Sequence, residues 1–231
     1  YEIMVKATQA RPTATVEDYL ETIHRLERDG KKVIATRLAE MLNVSLPTAT
    51  LTLKRMARDG WIVFDQHKQI RLTPAGEIAA HSVIRRHMLT EWLLVQTLDV
   101  PWSEAHSEAH QIEHTLSDNV EKRLNDNLNR PSTCPHGNPL PDHEELTSHW
   151  RPLTKAPYGV ATTIRRIHET VEDSQETLKY LEQNGLLPGA KVEILENLAF
   201  NQTISLRTEK GLLSLGWALA ENIFVETDMP G

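Results

Sequence analysis

The chain has 231 residues, enough to bury a core in more than one domain, and a single cysteine, Cys134, which excludes intrachain disulfides and a thiol-rich metal site. Hydrophobic residues make up 39%, no apolar run reaches the roughly 18 residues of a membrane span, and a signal-peptide core is lacking, so a cytoplasmic protein without membrane contact is expected. The net charge of −7 argues against general affinity for nucleic acid, yet residues 1–75 hold 12 Lys+Arg against 9 Asp+Glu and the remainder 13 against 23, so a mildly basic head that suits an anion sits on an acidic body.

Thr13 or Thr15 can cap a first helix over roughly 16–28, with Val16, Tyr19, Leu20, Ile23 and Leu26 as its apolar stripe and Gly30 as its stop. Residues 35–60 read ATRLAEMLNVSLPTATLTLKRMARDG. Leu38, Ala39 and Leu42 mark a short helix, and Asn43-Val44 a tight turn. Ser45 caps a second helix, with Pro47 in its first turn and Leu53 and Met56 facing inward. Two helices across a short turn make a helix-turn-helix, whose second helix enters the major groove; an ordinary helical hairpin is the bland alternative. Ser45, Thr48, Thr50 and Thr52, with Lys54 and Arg55 behind them, favour phosphate and base contacts. WIVFD and QIRLT then alternate around DQHK as a β-hairpin, or wing.

A long helix is predicted over 75–98, with Val83, Ile84, Met88, Leu89, Trp92 and Leu93 apolar and His87 and Glu91 four apart. Ser103 can cap a further helix running to about 128, which carries EAHSEAHQIEH, residues 104–114. At 3.6 residues per turn, His106, His110, Glu113 and His114 share an arc of about 100°. A solvated helix surface is one account of that face. However, five of the eleven histidines lie between 81 and 114, and imidazole with carboxylate suits Mn, Fe, Co, Ni or Zn, whereas Ca and Mg prefer oxygen alone. A catalytic alternative exists as well. His110-Gln111-Ile112-Glu113-His114 matches the H-x-x-E-H of inverted zinc peptidases, with Glu113 as base, although HSEAH fails the usual H-E-x-x-H.

From 129 to 157, six prolines and few periodic apolar positions predict a loop or tether, including CPHGNPLP, where Cys134 and His136 could bind metal together or serve the loop's structure. The segment 158–228 combines strand-like ATTIRRI, an amphipathic helix near 172–183, GLLPG, and the short strands KVEIL and TISLR, as expected of a small α+β or barrel-like module.

Several of these stretches are long and specific: VEDYLETIHRLE, LPTATLTLKRMARDGW, LTPAGE, RRHMLTEWLL, EAHQIEHTLSDNVEKRL, CPHGNPLP and GLLPGAKVEIL. Together they resemble the diphtheria toxin repressor and manganese transport regulator family of metal-dependent transcriptional repressors. The resemblance implies a mainly α fold with a small β component and no enzyme activity. A winged helix-turn-helix would occupy 1–75. A helical dimerisation and metal-binding domain would occupy 76–150, with a Pro-rich tether at about 129–157, and a Src-homology-3-like (FeoA-like) domain 158–231. It further implies a homodimer that binds double-stranded DNA at a palindromic operator and represses metal-uptake genes when metal is bound.

Carried over residue by residue, the ancillary metal site would be His87, Glu91 and His106, completed by Glu172 and Gln175, which stand one helical turn apart. The primary site would be Asp18, His110, Glu113 and His114, with Glu21 as an additional ligand. The DNA contacts would come from Arg37, Ser45, Pro47, Thr48, Thr50, Lys54 and Arg55, and Leu51 lies where the family can place a polar base-reading side chain. Iron-responsive members have Met and Cys at the positions of Asp18 and His110, and manganese members have Asp and Glu. Asp18 therefore matches the manganese members, while His110 departs from both. Oxygen and imidazole ligands without sulfur favour Mn²⁺, with Fe²⁺ the alternative and Zn²⁺, Co²⁺, Ni²⁺ or Cd²⁺ as substitutes in vitro.

Overall fold

Residues 11–198 and 200–227 are described by a computed structural model, and the chain divides after Ile84 into two units. Residues 1–10 of the expected head lie outside the described residues. No helix among the described residues is long and apolar enough to cross a membrane.

The first unit holds α1 (Ala14–Arg28), α2 (Ala35–Met41), α3 (Leu46–Arg58), β1 (Ile62–Phe64) and β2 (Ile70–Leu72). Tyr19, Leu20, Ile23 and Leu26 recur at helical spacing on α1 and bury together with Leu38, Leu53, Met56 and Ile62. Asn43 adopts the left-handed φ of 51° that the tight turn between α2 and α3 needs, a conformation a short polar side chain tolerates. Ser45 caps α3 by accepting from the Thr48 backbone N–H at 3.2 Å, whereas Thr13 precedes α1 without a side-chain cap bond. The two strands pair antiparallel as a wing, and Asp65 Oδ1 closes its turn by accepting from the amides of His67 and Gln69. Then α4 (Pro74–Thr97) begins, with Pro in its first position and Thr73 accepting from the Gly76 amide.

In the second unit the single helix predicted to 128 is divided. It comprises α5 (Ala105–Ile112), a 3₁₀ turn at Glu113–Thr115 and α6 (Asp118–Asn127). Leu116 is extended, and Ser117 starts a new helix by accepting from the Val120 amide, so a local cap overrides the continuing periodicity. Ser103, the expected cap, instead donates its hydroxyl to Glu182 at 2.7 Å.

Downstream come β3 (Arg151–Pro152), β4 (Ala161–Ile167), α7 (Glu169–Glu172), α8 (Gln175–Gln183), β5 (Lys191–Leu198), β6 (Thr203–Thr208), β7 (Gly211–Gly216), α9 (Trp217–Ala220) and β8 (Ile223–Thr227). The strands form one antiparallel sheet in the order β3-β8-β4-β5-β6-β7, with register shifts in β4 and β5 that curl it into the expected small barrel of Src-homology-3 type. Ile164, Ile167, Val192, Ile194, Ile204, Leu206 and Val225 fill its interior, and Leu178 and Leu181 of α8 close one side. The helix predicted near 172–183 breaks at Asp173-Ser174, because Ser174 accepts from the Thr177 amide and caps α8. Glu172 and Gln175 consequently sit on different helices.

The Pro-rich stretch also departs from expectation. It is irregular, but Cys134–Pro141 is buried throughout instead of hanging free as a tether. Prolines carry no amide to satisfy, and several other backbone groups are paired: Cys134 N–H to Asn138 O at 2.8 Å, Gly137 N–H to Cys134 O at 2.9 Å, and Ile167 N–H to His136 O at 2.8 Å. A segment poor in free donors is thus cheap to bury. Gly137 has a φ of +87°, and a Cβ there would stand 1.9 Å from the Arg165 carbonyl oxygen. Gly137→Ala should accordingly destabilise the second unit by at least about 1–3 kcal/mol, through both the backbone conformation and the clash. An unchanged urea midpoint in that variant would show that the loop is not packed against β4.

Candidate metal centres

His87 and Glu91 lie four residues apart on α4, which puts both on one face. Two further elements bring donors to them: His106 from the first turn of α5 and Glu172 from the end of α7. His87 Nε2 stands 3.0 Å from Glu91 Oε1 and 3.0 Å from His106 Nδ1, and His106 Nδ1 is 3.1 Å from Glu91 Oε1. Glu172 Oε2 approaches His106 Nδ1 at 3.2 Å. Neighbouring donors about 2.1 Å from one ion stand about 3.0 Å apart at octahedral corners and about 3.4 Å apart at tetrahedral ones. The triangle of His87, Glu91 and His106 donors therefore fits one face of a six-coordinate divalent ion. Gln175, expected here, opens α8 and is exposed.

A second cluster centres on Glu113, which is 0% exposed. Its Oε1 lies 3.2 Å from His110 Nδ1 and 3.3 Å from His114 Nε2, and its Oε2 pairs with His87 Nδ1. The buried Arg86 holds the Glu113 carbonyl, donating from Nε at 3.0 Å. The tightening from α5 into the 3₁₀ turn rotates Glu113 inward and keeps His114 beside it. The His110 side chain remains 55% exposed. The three histidines of one predicted face are thus shared between two clusters. Asp18 and Glu21, one turn apart on α1 and both half-buried, belong to the first unit.

Burial pushes the His87 imidazole pKa down, but Glu91 and Glu113 outweigh it and hold that pKa well above the usual range. His136, from the buried loop, is raised to about 9 against its own burial by Glu91 and Glu172. Burial raises Glu91, yet His136 and His87 hold it well below the carboxylate range, and Glu113 falls to about 2 because hydrogen bonds from His110 and His87 exceed its burial. Glu172 is raised, mainly by burial, with His136 and His106 opposing. Cys134 is pushed well up by burial and then by Glu91 and Glu172. Without an ion, protons on buried imidazoles are what balance these carboxylates.

The peptidase alternative fails on this geometry. A general base must reach substrate water. Glu113 is enclosed, with both carboxylate oxygens engaged by imidazoles.

On α3, Ser45, Pro47, Thr48, Lys54 and Arg55 are exposed, as a DNA-reading face requires, and Leu51 joins them at 62% exposure. Thr50 is half-buried and donates its hydroxyl back to the Leu46 carbonyl at 2.8 Å, which leaves it less available than expected. Arg37 is half-buried and donates to the Lys32 carbonyl.

His136, Arg86 and Asn138 are the site residues that sequence reasoning weighted least. His136 is 0% exposed and places Nδ1 3.3 Å from Glu91 Oε2. Asn138 donates to Glu172 Oε1 and accepts from Arg166. The Cys-x-His spacing at 134–136 was the available signal.

The iron dependent repressor N-terminal DNA binding domain matches residues 12–70, its metal binding and dimerisation domain residues 73–142, and the FeoA domain residues 151–227. The iron-dependent repressor IdeR of Mycobacterium leprae is 37% identical over 201 residues, covering 82% of this chain and 87% of that protein. The diphtheria toxin repressor of Corynebacterium diphtheriae is 41% identical over 132 residues, 57% of this chain and 58% of that one. A solved manganese-dependent transcriptional repressor in complex with manganese superimposes with a TM-score of 0.79 at 29% identity, covering 92% of this chain and 99% of the other.

A divalent ion taking His87 must displace the proton that Glu91 and Glu113 hold there. Below the raised pKa the proton competes, so affinity should climb with pH by up to tenfold per unit for each proton released. Mn²⁺ titrations at pH 6, 7 and 8 test this, and a pH-independent affinity would remove His87 from the ligands.

Proposed function

The chain belongs to the iron-dependent repressor family of metal-dependent, DNA-binding transcriptional regulators, and on that premise we propose that it is a manganese-responsive homodimer. In this proposal it represses metal-uptake genes in the cytoplasm by binding double-stranded DNA at a palindromic operator. The observation that carries the metal assignment is the donor set of buried His87, Glu91 and Glu172 with half-buried His106, oxygen and imidazole only, spaced for a six-coordinate ion. This set is the ancillary site. The primary site we propose would draw on Asp18, His110, Glu113 and His114, with Glu21 as an additional ligand.

What supports a role for Asp18 is chemical. It is a hard ligand on the helix of the DNA-binding unit, and an ion that takes it as well as Glu113 would join that unit to the dimerisation helices. In the metal-free state the DNA-reading units would pay more ordering entropy on binding. A bound ion would remove that penalty, and it would also reduce negative charge close to a polyanion. Two such units in a homodimer then meet successive half-sites of a palindrome.

Two outcomes test this. Thr48→Ala with Arg55→Ala should weaken operator binding at unchanged metal affinity, and removing one phosphate-binding cation should lower the salt slope by about one unit. Affinity that stays constant across salt concentrations would take α3 out of the interface. Metal choice is read from operator binding against free Mn²⁺, Fe²⁺ and Zn²⁺ under anaerobic conditions. Tighter Zn²⁺ binding is expected from the Irving–Williams order, but fuller activation should come from Mn²⁺, whose higher coordination number recruits more of these ligands. Equal activation by Zn²⁺ would refute the manganese assignment while leaving metal-dependent repression standing.

A further inference from the structure

The first unit carries a histidine pair of its own. His24 stands on α1 and His81 on the opening turns of α4, and their rings meet edge to face, with centres 4.9 Å apart and planes at 88°. A nitrogen of one ring lies within 4.8 Å of a nitrogen of the other. Packing of the two helices sets this meeting. Ile23 and Leu26 flank His24, Ala80 precedes His81, and all three belong to one buried apolar cluster. The imidazoles themselves are half-buried, so they sit at the rim of that core and remain open to solvent.

The separation is the one a shared metal ion requires. With nitrogens about 2.1 Å from an ion, two ring centres stand about 4.5 Å apart at an octahedral angle and about 5.2 Å apart at a tetrahedral one. The observed 4.9 Å lies between these values. Near-perpendicular planes also let both ring edges approach one point without colliding. Charge nearby is moderated, because Arg28, one turn beyond His24, donates to Asp29 at 3.3 Å. A pair of imidazoles suits Zn²⁺, Ni²⁺ or Cu²⁺, whereas Mn²⁺ stands at the weak end of the divalent order and favours oxygen.

We propose that His24 and His81 bind one Zn²⁺-class ion at the surface of the DNA-binding unit, with water completing its shell, and so pin α1 to the first turns of α4. This ion is separate from the manganese sites and uses none of their ligands. It places positive charge one helical turn from Glu21, on the helix that also bears Asp18. Excess Zn²⁺ thereby acts on the DNA-binding unit by a route that Mn²⁺ does not share.

The test uses the full-length chain and diethylpyrocarbonate, which acylates an imidazole nitrogen only where no ion holds it. Peptide mass spectrometry then reads the rate at each histidine. Saturating Zn²⁺ should slow modification of His24 and His81 at least tenfold, while Mn²⁺ at the same concentration should leave both rates as they are without metal. In His24→Gln, Zn²⁺ should no longer protect His81. The doubly substituted chain, His24→Gln with His81→Gln, should bind one Zn²⁺ fewer than the native chain and as much Mn²⁺. Native rates that Zn²⁺ does not change, or equal Zn²⁺ uptake by the native and doubly substituted chains, would overturn the site. Equal protection by Mn²⁺, or protection of His81 that survives in His24→Gln, would show that ions bound elsewhere shield the pair and would overturn it too. The native rates decide the question even where a variant misfolds.

Discussion

Buried negative charge organises the second unit. Glu91, Glu113 and Glu172 are all enclosed, and an unpaired carboxylate in such surroundings is too costly to persist. Each is answered by imidazole: Glu91 by His87, His106 and His136, Glu113 by His87, His110 and His114, and Glu172 by His106 and His136. The need to bring those rings to those carboxylates explains features that look odd one at a time. It accounts for polar residues at the centre of α4, for a helix that tightens into a 3₁₀ turn at Glu113, and for a loop of prolines packed inside the fold. The aliphatic core of the barrel lies elsewhere and is conventional by comparison.

Glu113 is the joint between the two clusters, one oxygen on His87 and the other between His110 and His114. The orientation of His87 at the first cluster depends on the carboxylate that anchors the second, as ring orientation at metal sites generally depends on what the far nitrogen meets. Any ion that draws on Glu113 must therefore act on the ring that faces Glu91. Such coupling between two binding equilibria is reciprocal by linkage. Arg86, fixed to the Glu113 carbonyl, limits how far that turn can move in response.

Much of this was legible in the sequence, and the exceptions have physical causes. The helix-turn-helix and wing follow from local signals, Ser45 as cap, Asn43 at a left-handed turn and alternation around Asp65, and all three act over a few residues. His87 and Glu91 were readable because i, i+4 spacing fixes a face on any helix. Periodicity was misleading past residue 112, where a serine cap ended one helix and began another, and again at Ser174, where the same device separated Glu172 from Gln175. Burial of the Cys134–Pro141 loop could not be inferred from composition, since it depends on β4 accepting the chain at Ile167 and on room beside Arg165 for Gly137. The Cys-x-His spacing singled out His136, but its place beside Glu91 was hidden for the same reason: a histidine in a Pro-rich stretch gives no face to read.

The order in which the chain is made bears on the centre at Glu91. Its donors come from residues 87, 91, 106, 136 and 172, and Ser103 and the Trp102 amide are pinned by Glu182, about eighty residues further on. A chain leaving the ribosome can form the helix bearing His87 and Glu91 early, because those contacts are local. The enclosing partners arrive only after the barrel's first strand and both following helices have been synthesised, and long-range closures of this kind form late. Nascent chains thus carry an incomplete set of these side chains for most of their synthesis. The complete donor set exists only once Glu172 has been translated.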